Sequence, residues 1–170
     1  MKNLILEGFM GCGKSRIAKA LGDDTGMKVI DTDELIEKEQ KRAISGIFAS
    51  DGEEAFRDME TALLRKLQND TKNCIISLGG GMPVREENRR ILKDLGTVVY
   101  LKADREVLIG RLERGVEKRP MLSGHDLEKR VEELLAARQD LYADAADIII
   151  DIGEDDPDTI SLRIRKELGL

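Results

Sequence analysis

The chain has 170 residues, 41% of them hydrophobic, 36% charged and 3% aromatic, with a formal net charge of −6 and an isoelectric point near 5.0. That size suits one domain that buries most of its apolar surface without staples, and an acidic balance supplies no overall field for nucleic acid, so any anion site must be local. Two cysteines at unrelated positions and a single histidine, His125, argue against a disulfide framework, a zinc site or a histidine-based triad.

The N-terminal run MKNLILEG is too short for a signal peptide, and no run approaches membrane-spanning length. A cytoplasmic chain with reduced thiols and no membrane contact is expected. Short apolar runs rich in β-branched residues at Leu4 to Leu6, Val29 to Ile30, Cys74 to Leu78, Thr97 to Leu101 and Ile148 to Ile152 each read as a buried strand. Helical patterns near residues 14–22, 34–48, 52–68, 84–94, 104–113, 126–142 and 157–168 lie between them. Strand and helix alternate, which predicts an α/β chain with a parallel sheet. Asp51 and Glu54 resemble a capping box opening the third helix, whose apolar stripe is Phe56, Met59, Leu63 and Leu67. Segment 112–125, LERGVEKRPMLSGH, is charged, contains Gly and Pro, lacks an apolar period and reads as a mobile loop. With no repeat or linker in view, residues 1–170 are expected to form one domain.

GFMGCGKS, residues 8–15, follows the first strand and opens the first helix, and it fits G-x-x-x-x-G-K-[ST]. The glycines let backbone N–H groups turn inward around a β-phosphate. Lys14 adds a point charge for the β- and γ-phosphates, and the Ser15 hydroxyl can coordinate Mg²⁺. Gly11, Cys12, Gly13, Lys14, Ser15 and Arg16 are therefore the candidate nucleotide-binding residues; the plainer alternative is a strand-to-helix turn that only needs glycine. Cys12 sits at a helix N-terminus beside Lys14, and both favour thiolate. It is expected to react with alkylating reagents faster than Cys74 in the apolar strand NCIISL, unless its sulfur is turned toward packing.

After the second strand, DTDE puts Asp31 at the strand end and Asp33 where a helix N-cap would sit. They are either turn residue and cap, or carboxylates that hold a magnesium-bound water and accept a proton from an attacking hydroxyl. FRDMET places Arg57 and Glu60 three apart on one helix, as an ordinary solvated pair or as part of a site. AARQDLY places Arg138 on a later helix, and two arginines from distant segments can grip one carboxylate bidentately. KRPML places Arg119 in the mobile loop, either solvent-exposed or able to swing onto a γ-phosphate.

GFMGCGKS, DTDELI, FRDMET, SLGGG, RPML and RQDLY, in this order and spacing, resemble the bacterial and plant shikimate kinase family over nearly the whole chain. The resemblance implies a P-loop nucleoside-monophosphate-kinase-like fold, a five-stranded parallel sheet flanked by helices, and ATP-dependent phosphoryl transfer to the 3-hydroxyl of shikimate. It implies an acceptor-binding segment at residues 32–61, a lid at 112–125, a monomer and Mg²⁺. Carried over, Asp33 contacts the ring hydroxyls and is a candidate base, while Asp31 and Ser77 hold magnesium through water. Arg57 and Arg138 bind the carboxylate, Glu60 orients Arg57, and the amide of Gly80 donates to a ring hydroxyl. Arg119 is the lid arginine on the phosphates, with Lys14 and Asp33 in the catalytic set. Arg111 looks like the residue stacked on adenine, with Arg114 as the alternative.

The second glycine exit, ISLGGGMP, lacks a lysine, and bare backbone at Gly79, Gly80 and Gly81 can approach a neutral hydroxylated ring that side chains there would displace. An acidic protein with two anionic ligands must gather Lys14, Arg57, Arg111, Arg119 and Arg138 at one cleft. Arg16, Met121 and Cys12 depart from the family pattern without removing a catalytic group. Two alternatives stay open: a kinase of the same fold for another small molecule, such as gluconate, and a nucleotide-dependent switch that transfers nothing.

Overall fold

The computed structural model describes residues 2–115 and 126–170. Five strands, β1 (Asn3–Glu7), β2 (Lys28–Asp31), β3 (Cys74–Ser77), β4 (Gly96–Lys102) and β5 (Ile148–Asp151), form one sheet in the order β2-β3-β1-β4-β5. Every neighbouring pair is parallel. The helices that return the chain are α1 (Lys14–Thr25), α2 (Thr32–Gln40), α3 (Ile44–Asp51), α4 (Glu53–Asp70), α5 (Glu86–Leu95), α6 (Arg105–Arg114), α7 (Leu127–Ala145) and α8 (Pro157–Leu168). None of the described helices is long and apolar enough to cross a membrane.

The apolar runs become strands because both faces of the sheet are covered. Leu4, Ile75 and Val99 pack toward Ile17, Leu108 and Ile164 on one side, while Ile5, Ile76 and Val98 pack toward Ile36, Ile47, Leu64 and Leu92 on the other. These rows alternate because successive strand residues point to opposite faces. Below the sheet, the Asn3 carboxamide donates to the carbonyls of Thr71 and Leu95 and accepts from the amide of Cys74. It thereby joins the starts of β1, β3 and β4.

Three expectations need correction. Residues 112–114, expected to open a loop, instead belong to the last turn of α6. The single helix expected near 34–48 is two, because Lys41 takes a left-handed conformation (φ 54°) and closes α2 before α3 begins at Ile44. The capping box at Asp51 and Glu54 does not form: Asp51 ends α3 with its carboxylate on Arg42 and Ser50, and the α4 N-cap is Gly52, with no side-chain cap. On α4 the expected stripe does dock, with Phe56, Leu63 and Leu67 buried and Met59 half-buried.

Candidate active site

All five strands end at the same rim, where ligands bind in open parallel sheets. There β1 leads into the loop GFMGCGKS, and Gly13 enters α1 at φ 93°, a backbone state that favours glycine. The ammonium of Lys14 lies back along its own loop and donates to the carbonyls of Gly8 (2.8 Å) and Phe9 (3.1 Å). Across the loop, Arg111 donates to the carbonyl of Cys12 (2.9 Å). Gly11, Cys12, Gly13, Lys14, Ser15, Arg16 and Asp31, with Arg111, Arg114 and residues 154–157, line a cleft of about 670 Å³. Both Arg111 and Arg114 face it, the latter tied by its Nε to the carbonyl of Gly110 on its own helix.

At the cleft mouth the Ser15 hydroxyl donates to Asp31 Oδ2 at 2.7 Å, while Asp31 Oδ1 accepts the amides of Asp33 (3.0 Å) and Glu34 (3.3 Å). Asp31 is thus the N-cap of α2, and Asp33 lies two residues inside it, in the first turn, whereas the sequence places the cap at Asp33. Helix begins directly at Thr32 after β2, so the cap falls two residues earlier. Ser77 stands beside Asp31 in the β2–β3 register. Ser15, Asp31 and Ser77 are hard oxygen donors, and no group of three or more His, Cys, Asp or Glu among the described residues is placed to hold a metal ion. Such a set fits Mg²⁺, which binds through one or two carboxylates plus phosphates and water, and fits poorly a metal needing an all-protein cage.

Beside this cleft lies a second cavity of about 90 Å³, lined by Met10, Asp33, Ile44, Phe48, Phe56, Arg57, Glu60, Gly79, Gly80, Gly81 and Arg138. Arg57 and Glu60 are no solvated surface pair: they are 6% and 0% exposed, and Arg57 Nη1 donates to Glu60 Oε2 at 2.7 Å. Glu53 takes the other guanidinium nitrogen at 3.3 Å. Arg138, 4% exposed, comes from α7. Its Nη1 and the Glu60 Oε1 are both buried without a hydrogen-bond partner. Burial pushes the Glu60 carboxyl up to about 7, against the opposing pull of Arg57. Two buried guanidinium groups with donors to spare are a site prepared for a carboxylate.

The glycines have a different physical reason from the one expected. A Cβ on Gly81 would overlap the Arg57 guanidinium, and one on Gly79 would lie 2.5 Å from Asp33 Oδ1. At these two positions the protein's own arginine and aspartate fill the space. Only Gly80 leaves room that is not already taken, with backbone of Met10 and Gly8 at 3.4 and 3.5 Å. Its carbonyl accepts the Tyr142 hydroxyl, while the Gly79 amide donates to Thr32 Oγ1 at 2.9 Å.

The structure thus brings together Lys14, Ser15, Asp31, Asp33, Arg57, Gly79, Gly80, Gly81, Arg111 and Arg138, and Arg119 lies outside the described residues. For Cys12 the structure favours the packed alternative: the residue is fully buried and its side chain joins the core, so the sequence no longer gives a reason to expect faster labelling than at Cys74. Sequence reasoning missed Thr32, Tyr142 and Glu7. Thr32 and Tyr142 act through contacts 47 and 62 residues away, and no local spacing signals those.

The sequence profile of the family described as shikimate kinase matches residues 10–169. A shikimate kinase of Bacillus cereus (strain G9842) is 43% identical over 151 residues, 89% of this chain and 88% of its own. One from Thermodesulfovibrio yellowstonii is 39% identical over 167 residues, 98% of this chain and 95% of its own. Among solved structures, shikimate kinase from Acinetobacter baumannii in complex with shikimate superposes with a TM-score of 0.94 at 31% identity, covering 99% of this chain and 94% of that one.

Proposed function

Because the chain belongs to the shikimate kinase family, a P-loop kinase of the nucleoside-monophosphate-kinase-like fold that phosphorylates shikimate from ATP, we propose that its two adjoining cavities divide that reaction between them. The observation that carries this assignment is that the large cleft and the arginine-lined cavity share three residues, Met10, Asp33 and Gly80. A phosphate held in the first then adjoins a hydroxyl held in the second.

In the acceptor cavity, Arg57 and Arg138 clamp the shikimate carboxylate, and Glu60 fixes the Arg57 fork. The ring lies against Gly80, whose amide donates to a hydroxyl. Asp33 orients the 3-hydroxyl and accepts its proton as it attacks the γ-phosphorus. In the cleft, the backbone amides of Gly11, Cys12 and Gly13 surround the β-phosphate, and Lys14 meets the phosphates with the donor that its bonds to the Gly8 and Phe9 carbonyls leave over. Arg16 flanks the phosphates, Arg111 or Arg114 stacks on adenine, and Arg119 is taken as the lid arginine that meets the γ-phosphate. Mg²⁺, held by Ser15 and through water by Asp31 and Ser77, would neutralise charge on the β- and γ-phosphates. The same reading takes residues 1–170 as one kinase domain, a cytoplasmic monomer with small-molecule partners only, in which 32–61 forms the acceptor segment.

A coupled assay of ADP release with ATP, Mg²⁺ and either shikimate or gluconate tests the whole reading. Shikimate-dependent release with none from gluconate is expected. Release with gluconate alone, or at a rate indifferent to either acceptor, overturns it.

A further inference from the structure

Glu7 closes the central strand immediately before the glycine loop, is fully buried, and has no hydrogen-bond partner on either carboxylate oxygen. Among the described residues no other acid has both oxygens in that condition. Such a group demands an explanation, since an unpaired buried charge is among the costliest features a fold can carry.

The groups around it narrow that explanation. Lys14 and Arg89 act on it as cations, Asp144 and Asp147 as anions, and Tyr100 and Tyr142 feel its charge. Arg89 is committed elsewhere, its Nε on Asp144 (2.9 Å) and its Nη1 on the carbonyls of Pro83 and Val84 (2.9 and 3.0 Å). Asp147 accepts the Val98 amide at 2.8 Å. Lys14 is different: its ammonium donates to the carbonyls of Gly8 and Phe9, the two residues after Glu7, and its third donor, near only the Cys12 sulfur at 3.7 Å, is left for a phosphate. Burial pushes the Glu7 carboxyl up to about 8, with Lys14 the strongest charge opposing this. Near neutrality it is therefore mostly an uncharged acid.

We propose that Glu7 is a positioning residue for nucleotide binding: as a neutral acid it leaves the Lys14 ammonium to the phosphates, and once ionised it competes for that ammonium and opposes the phosphate charge. The inference rests on the reading of GFMGCGKS as the ATP site and adds to it a pH-dependent gain.

The test compares wild type with Glu7→Gln, measuring Mg·ADP affinity and the KM for ATP from about pH 7 to about pH 9. If the ionised form is the non-binding one, the wild-type Kd should rise roughly tenfold over that span, since only about a tenth of the protein then stays competent. Glu7→Gln should match wild type near pH 7 and stay flat above it, with the KM for shikimate unchanged in both. The ionisation of ADP is common to the two proteins, so only the difference between the profiles counts. Parallel profiles, or a variant weaker at every pH, overturn the role of Glu7 while leaving the nucleotide site standing. No ADP binding by wild type at any pH overturns the site reading itself. A second readout needs no variant: the ¹³C carboxyl resonance of Glu7 in the intact protein should titrate near 8 and move upward when ADP binds, and a midpoint near an ordinary carboxylate, or one indifferent to ADP, sinks the proposal.

Discussion

Arg57 and Arg138 each bury a positive charge against a cavity that contains one buried carboxylate, Glu60, with an oxygen left over. Removing either arginine should therefore strike shikimate and spare nucleotide. Arg57→Ala is expected to cost about 1.5 to 3 kcal/mol of shikimate affinity, roughly ten- to hundredfold, with Mg·ADP affinity unchanged by calorimetry. Arg57→Lys should be impaired as well, because an ammonium cannot reproduce the planar fork. Equal losses for both ligands would mean that α4 has been disturbed instead. A sharper probe is Gly81→Ala, which leaves every charged group in place and adds one methyl where the Arg57 guanidinium lies. It should displace Arg57 and reproduce the selective shikimate defect; normal shikimate binding would show that the guanidinium shifts without consequence. At this scale the motifs were legible, because the loop, the DTDE turn and the FRDMET helix each work through residues a few positions apart. Glu7 was not. Its surroundings come from α1, α5 and α7, and nothing near it in sequence announces that its oxygens go unpaired.

Helix α2 begins on a residue with two duties. Asp31 spends one oxygen on the helix N-terminus and the other on Ser15 of the nucleotide loop. Asp31→Ala should lose about 0.5 to 2 kcal/mol of stability as an ordinary cap deletion and should also weaken the Mg²⁺ dependence of turnover. Asp126 caps α7 in the same way, accepting the Lys129 amide at 3.0 Å, at an exposed position. Asp126→Ala should show the first effect without the second. If the two variants behave alike in Mg²⁺ titrations, Asp31 is only a cap. Element positions were legible from the apolar periods, and boundaries were not. The α2–α3 break depends on a left-handed Lys41, and Asp51 prefers Arg42 across nine residues to the amide expected for a cap. Neither choice can be read from propensity, since both are settled by side chains that meet only after folding.

The whole molecule inherits a pH signature from its two buried acids. Glu7 and Glu60 hold protons to about 8 and about 7, against 4.5 for an ordinary glutamate. Between these values the folded chain binds more protons than the unfolded one, so this part of its stability is complete below 4.5 and is lost as pH rises through 7 and then 8. Asp51, held near 2 by Arg42, acts only below that window. Thermal melts should therefore fall from mildly acid to mildly alkaline pH, and Glu7→Gln should flatten the upper part of the slope. A melting temperature that rises across the window, with the same profile in the variant, contradicts this. Fold class was legible because alternating strand and helix patterns leave few alternatives, whereas strand order rests on pairings such as Leu4 with Ile75 and Thr97, far apart in the chain. That order has a consequence for synthesis on the ribosome. Strand β1 is translated first yet sits between β3 and β4, so its N–H and C=O groups wait for residues 74–102 before both edges are complete. At about 5 to 20 residues per second the wait lasts roughly 5 to 20 seconds, with an apolar strand unsheltered throughout. Nascent chains stalled before Gly96 should be cut readily by protease and retained by chaperones, and resistance should appear only once β4 has cleared the exit tunnel.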